Sequence, residues 1–384
     1  MTINFRLPGP TPLPPAVLAA MQRAMIPHRG PVFQALYRSI LARTKEIHRT
    51  DGEVLIWPAS GSAGWEVAVS NLLSPGDPVL AVVIGDFGAR FASVAEAFGL
   101  DVRRLELPWG SVATPEMVRS ALERNPDVKA VLLTHNETST GITNPLRELA
   151  AVIRDHGALV IVDAVSSAAG LPLLMDEWGL DFVLSGSQKA WMCPPGLLIT
   201  AVGPRAWAAC AQSRFPKFFW DLRTAREAAA KGMTPTTPPL SLLYAFDAAL
   251  DMILAEGLEH VWRRHHELGE RTRQGVRALG LRLFGDEAHA SDTVTAIVPP
   301  PGIPAKEIVR RLEQEHGVIV AGGQAHLADA IVRIGHMGWV TAEDLAHCLS
   351  ALATRWQLVS DLPEEASGRH NGTGRLRFRY RERW

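Results

Sequence analysis

The chain is predicted to be an α/β protein: a mostly parallel central sheet flanked by helices, followed by a smaller C-terminal α+β domain. Three observations predict it. From about residue 17 to 250, short apolar runs alternate with amphipathic stretches, the pattern of a parallel sheet covered on both faces. Beyond residue 281 the alternation becomes tighter, as in a compact second unit. And 384 residues exceed what one simple core organises, so two domains are expected.

Residues 1–16 are Pro-rich, which excludes a helix interior and suits an extended arm. The large domain is expected over 17–255. In it Pro78–Ile84 reads as a buried strand and Phe87–Phe98 as a helix closed by Gly99. Val128–Thr134 and Ala158–Asp163 repeat the strand theme, with a helix from Pro145 to His156 between them. The segment 213–239, rich in aromatics and proline, reads as irregular. Helices are expected over about 240–255 and 257–279. The small domain, 256–360, then reads strand, strand, helix, strand, strand, helix. The tail 361–384, rich in Arg, Gly and Glu and without periodicity, is expected to be disordered or a loosely attached extension.

Composition narrows the function. Hydrophobic residues at 47% and charged residues at 21% describe an ordinary globular protein. A formal net charge of −1 leaves no electrostatic footprint for nucleic acid or an anionic membrane. Three cysteines at unrelated spacings, Cys193, Cys210 and Cys348, make neither a disulfide framework nor a zinc site, and no metal is expected. No apolar run approaches a membrane span, and the N-terminus lacks the regions of a signal peptide. The expected location is cytoplasmic.

The chemistry concentrates at strand ends, where ligands of parallel sheets bind. In Leu184-Ser-Gly-Ser-Gln-Lys-Ala-Trp-Met-Cys-Pro-Pro-Gly196, Lys189 follows an apolar strand in a crowded Ser/Gly/Pro turn. Burial there would lower the lysine's pKa and make it nucleophilic toward an aldehyde; a surface lysine is the alternative. Leu159-Val-Ile-Val-Asp163 places a lone carboxylate at the end of another apolar strand, as cofactor partner or as helix N-cap. Together these two groups suit pyridoxal 5′-phosphate, the lysine as its Schiff-base partner and the aspartate on its pyridine nitrogen. Ser60-Gly61-Ser62 lies between a strand and a helix, where backbone N–H groups can approach a phosphate, or serves as a tight connection only. Neither GxGxxG nor GxxxxGK occurs, which counts against a dinucleotide or P-loop site. Phe87, in a glycine-flanked turn, could stack on a flat ring or pack in the core. Arg333 interrupts an apolar strand; its guanidinium suits a carboxylate, with a strand-edge salt bridge as the alternative.

In this order, these residues resemble the class V aminotransferases of PLP fold type I, and among them the alanine–glyoxylate and serine–glyoxylate branch. The resemblance runs from about Gly9 to Arg355 and rests on five motifs. They are Val162-Asp-Ala-Val-Ser-Ser-Ala, Ser185-Gly-Ser-Gln-Lys-Ala with Pro194-Pro-Gly, Thr134-His-Asn-Glu-Thr-Ser-Thr-Gly141, Thr234-Pro-Thr-Thr-Pro-Pro239 and Arg333-Ile-Gly-His-Met-Gly338. It implies that Lys189 bonds the cofactor, Asp163 pairs with its ring nitrogen, Phe87 stacks and Thr138 hydrogen-bonds at the cofactor. It also implies that Ser60, Gly61, Ser62 and Gln188 surround the phosphate. Thr237 would reach the phosphate of a neighbouring subunit in a homodimer with shared active sites, and Arg333 would bind the substrate carboxylate. Ser62 and Thr234 depart from the His and Tyr of some relatives. The implied reaction is ping-pong transfer of an amino group from alanine or serine to glyoxylate or pyruvate. The alternatives are another reaction on the same scaffold, such as a cysteine desulfurase or lyase, and a PLP-binding regulatory protein without turnover. His28, Arg29 and Asn136 are further candidates for the substrate pocket.

Overall fold

The structure, a computed structural model, describes residues 3–360, with side chains to 354. Its centre is a seven-stranded sheet. The strands are β1 (Glu53–Trp57), β2 (Pro78–Val83), β3 (Asp101–Glu106), β4 (Ala130–Thr134), β5 (Leu159–Asp163), β6 (Phe182–Gly186) and β7 (Leu198–Val202). Their spatial order is β1-β7-β6-β5-β4-β2-β3. Only β7 runs antiparallel to its neighbours, β1 and β6; every other pairing in the sheet is parallel.

The continuous apolar runs have a direct cause. All five residues of β4, β5 and β6 are buried, because helices cover both faces and side chains alternate between them. Val131, Leu133, Val160, Val162 and Val183 enter one core layer, with Ile40, Ile153 and Leu250 from helices Pro31–His48, Leu146–His156 and Leu240–Glu256. Their sequence neighbours Ala130, Leu132, Ile161 and Leu184 enter the other, with Val67 and Phe91 from helices Ala63–Leu72 and Asp86–Ala97. The second of these helices ends before Gly99, whose φ of 74° suits the left-handed turn-off expected there.

A four-stranded antiparallel sheet follows, in the order Arg282–Leu283, Val294–Val298, Val332–Gly335, Ala321–Gly322. Helices Ala305–His316 and Ala342–Ser360 pack on it around Val276, Ile297, Leu312, Ile334 and Leu352. Helix Leu258–Ala278 serves both cores, with Val261 in the first and Leu268 and Val276 in the second.

Three expectations of the sequence reading need correction or fall outside the description. The segment 213–239 is not irregular throughout. It holds helix Leu222–Ala230, started by the Asp221 carboxylate accepting from the Arg223 N–H, with four alanines of high helix propensity and with Leu222 and Ala225 buried. Between helices Ala305–His316 and Ala342–Ser360 lie three short strands instead of two. The extra one, Val318–Ile319, pairs in parallel with Asn4–Phe5 from the N-terminal arm, a partner no local pattern discloses. The tail 361–384 lies outside the described residues.

Candidate active site

The parallel register sets the ends of three central strands level, Thr134 opposite Asp163 and Asp163 opposite Leu184. Beyond those ends, and beyond the carboxyl ends of β1 and β2, lies a cleft of about 120 Å³. Eight of the ten sequence-predicted site residues line it: Ser60, Gly61, Ser62, Phe87, Thr138, Asp163, Gln188 and Lys189. It is not the largest cleft. One lined by Asp51, Asp181 and Arg226, among others, encloses about 690 Å³, and in it Arg226 pairs with Glu53 and Arg205 with Asp181.

Lys189 is buried, and its Nζ donates to the Pro8 carbonyl at 2.6 Å. Burial lowers its pKa to about 8, the nearby Arg333 adds to the fall, and Asp163 opposes it. The arm is tied to the lysine's turn. Thr11 N donates to the Gln188 carbonyl at 3.1 Å, and Thr11 Oγ1 to the Lys189 carbonyl at 3.1 Å. A Cβ on Gly9 would run into the Lys189 side chain, and the φ of 120° there is one that glycine alone adopts readily.

Asp163 is buried, and both of its carboxylate oxygens are engaged. Its Oδ1 accepts from the Val165 N–H at 2.8 Å, a local turn contact of the N-cap kind, although no helix follows. Its Oδ2 accepts from Trp65 Nε1 at 2.8 Å. Burial raises its pKa to about 6, against which the two donors and Lys189 hold it down. The result is a partly desolvated carboxylate and a softened lysine facing one small cleft.

At the other end of the cleft, helix Ala63–Leu72 begins. Its N-cap Ser62 makes no side-chain cap, and the N–H groups of Ala63, Gly64 and Trp65 turn back to the carbonyls of Ser60, Gly61 and Ser62. That leaves the N–H groups of the Ser60–Ser62 turn without a partner among the described residues and open to an anion. A Cβ on Gly61 would come within 2.6 Å of Val165, so only glycine lets the turn pass this close. Gln188 Oε1 and Thr134 Oγ1 are buried without a hydrogen-bond partner among the described residues. Orphaned polar atoms, an uncapped helix N-terminus, an aromatic wall and an amine–carboxylate pair fit pyridoxal phosphate: an anion at one end, a basic ring nitrogen at the other, an aldehyde at the lysine.

Two predicted residues lie off the cleft. Arg333 is buried on a strand flanked on both sides, so it is not at a sheet edge, and it forms no ion pair among the described residues. Its Nε donates to the Gly322 carbonyl at 2.8 Å, and Nη1 to the Thr138 carbonyl at 3.0 Å and Gln324 Oε1 at 2.9 Å. That places it at the cleft's rim with Nη2 unused among the described residues. Thr237 is exposed and does not line the cleft. Of the further candidates, Asn136 lines the cleft but is engaged by Ser166 and Thr293, while Arg29 donates to the Thr234 carbonyl and does not line it.

Two participants escaped the sequence reading. Trp65 reads as a core residue of an apolar helix. Glu137 is fully buried beneath the Phe87 turn and accepts from the Gly88 N–H at 3.1 Å and from Ser139 Oγ at 2.6 Å. Its signal was a charged residue inside an otherwise uncharged Thr/Ser/Asn run.

Comparison with known proteins agrees with this geometry. The model of the family described as Aminotransferase class-V matches residues 3–346. The chain is 39% identical over 343 residues to a protein of Methylorubrum extorquens named serine–glyoxylate aminotransferase, covering 86% of this chain and 85% of that one. It is 42% identical over 349 residues to a Synechococcus protein named soluble hydrogenase, small subunit, covering 90% and 91%. The crystal structure of an alanine–glyoxylate aminotransferase from Nostoc sp. superposes with a TM-score of 0.88 at 33% identity, covering 92% of this chain and 95% of that one.

Proposed function

This chain belongs to the class V aminotransferases, and we propose that it moves the amino group of alanine or serine to glyoxylate or pyruvate by a ping-pong exchange. The observation that carries the reading is the buried Lys189 facing the same cleft as the buried Asp163, with Arg333 at the rim. Bound there, pyridoxal phosphate supplies an aldehyde to receive the amino group and a protonated ring to draw electrons from the bond that breaks.

The chain's own residues do the rest. With a pKa near 8, Nζ of Lys189 is partly neutral at physiological pH, so once unbonded it can take the proton from the donor's Cα. Asp163 keeps a negative charge under the ring nitrogen, and its two N–H donors fix its direction. The free N–H groups before helix Ala63–Leu72, with Ser60, Ser62 and Gln188, hold the phosphate. Phe87 walls the ring, Thr138 hydrogen-bonds beside it, and Arg333 grips the substrate carboxylate with the guanidinium edge it has not used.

A desulfurase would need a reachable thiolate. Cys193 and Cys348 are both buried, and burial pushes both thiols up, Cys348 to about 12. The hydrogenase name belongs to the Synechococcus relative. Among the described residues of this chain, no three His, Cys, Asp or Glu side chains converge as metal ligands.

The family resemblance of the Thr234–Pro239 motif supports a homodimer with shared sites, in which Thr237, exposed and away from its own chain's cleft, serves the second copy. A cytoplasmic location is consistent with three free cysteines and with the lack, among the described residues, of a helix long and apolar enough to cross a membrane.

The test is the visible absorption of the purified protein during addition of L-alanine or L-serine, with L-aspartate for comparison, and then glyoxylate. The proposed reaction requires the cofactor band to fall with alanine or serine and return with glyoxylate. A band that aspartate alone discharges would move the donor assignment; a band no amino acid discharges would contradict transamination.

A further inference from the structure

One side chain ties the two ends of the cleft together. Trp65 sits three positions after Ser62, on the first turn of the helix whose N-terminus forms the phosphate end. Its indole is 3% exposed and stacks on Phe91 with ring centroids 5.8 Å apart, so its direction is fixed by packing. From there Nε1 donates at 2.8 Å to Asp163 Oδ2, at the opposite end. Among the described residues the only other donor to that carboxylate is the Val165 backbone, two residues along the same chain. Core packing alone would have been served by Phe or Leu, and would leave a buried carboxylate short of one partner, a costly arrangement.

We propose that Trp65 is a positioning residue: it holds Asp163 ionised and aimed at the ring nitrogen, in register with the phosphate end set by its own helix. The inference rests on the assignment of Asp163 to the ring nitrogen. It treats the helix as a rigid ruler whose first turn spaces the two anchoring points.

A double-mutant cycle on cofactor affinity separates the two ideas. Apoprotein of the wild type, Trp65→Phe, Asp163→Asn and the double variant is titrated with pyridoxal phosphate by absorbance. Phe keeps most of the packing and removes the donor. Trp65→Phe is expected to weaken binding about tenfold in the wild-type background, the scale of one hydrogen bond to a charged group, and less than about twofold in the Asp163→Asn background. Equal losses in both backgrounds, or none in either, would overturn the role of Trp65. Wild-type affinity in Asp163→Asn would instead overturn the reading of Asp163.

A second measurement needs no substitution of Trp65 itself. In wild-type apoprotein labelled with ¹⁵N-tryptophan, one indole resonance should shift with pH near 6, following Asp163, and should lose that shift in Asp163→Asn. An unchanged set of indole resonances across that range would contradict the contact.

Discussion

Burial of Asp163 carries a cost for the apoprotein, one that the proposed pairing with the cofactor's ring nitrogen would offset. Its pKa is raised from 3.8 to about 6, so between those values the folded state binds more protons than the unfolded one. Stability therefore falls as pH rises from about 4 to 6, and the full penalty stands above 6. Apoprotein of Asp163→Asn is expected to be more stable than the wild type at pH 7, by up to about 3 kcal/mol, with the gap closing near pH 4. Denaturant melts at the two pH values measure this. Lys189 works in the opposite direction: its ammonium is penalised below about 8, and stability recovers as pH rises from there toward 10.5. Both residues were legible in the sequence because each ends an apolar run where a charge has no bland reason to be. Trp65 was not, because an indole on a buried helix looks the same whether or not its N–H has a partner.

The parallel strands were legible as elements because burial on both faces makes them continuous apolar runs. The turn Ser60–Ser62 was legible as a strand-to-helix connection because Gly and Ser interrupt the passage. What the pattern hid was the N-terminal arm, whose role depends on partners more than 170 residues away. Asn4–Phe5 pairs with Val318–Ile319, Gly335 N donates to the Arg6 carbonyl at 2.7 Å, and Pro8 receives the lysine. The arm thus joins the strand that bears Arg333 to the turn that bears Lys189. Gly9→Ala is expected to destabilise the apoprotein by about 1–3 kcal/mol, the cost of a strained backbone position, and to displace Lys189 from Pro8. The colour that develops when pyridoxal phosphate is added to apoprotein should then appear several-fold more slowly than in the wild type. A variant as fast as the wild type would show that the arm does not position the lysine.

For the whole molecule, the fold class followed from the alternation of elements, whereas subunit organisation left no mark in periodicity. Thr237 came to notice by motif resemblance alone, and its exposure outside the cleft is what a residue serving a partner's site requires. Light scattering should give twice the 41.8 kDa chain mass. Thr237→Ala should weaken cofactor binding several-fold without changing that mass. A monomer with full cofactor affinity would contradict the shared site. The central claim, that Lys189 is the amine that bonds the cofactor, is tested most directly by borohydride reduction of the cofactor-loaded protein followed by peptide mass mapping. The account predicts one pyridoxyl-phosphate adduct per chain, on the peptide containing Lys189. An adduct on another lysine, or no adduct on a protein that visibly holds the cofactor, would contradict it.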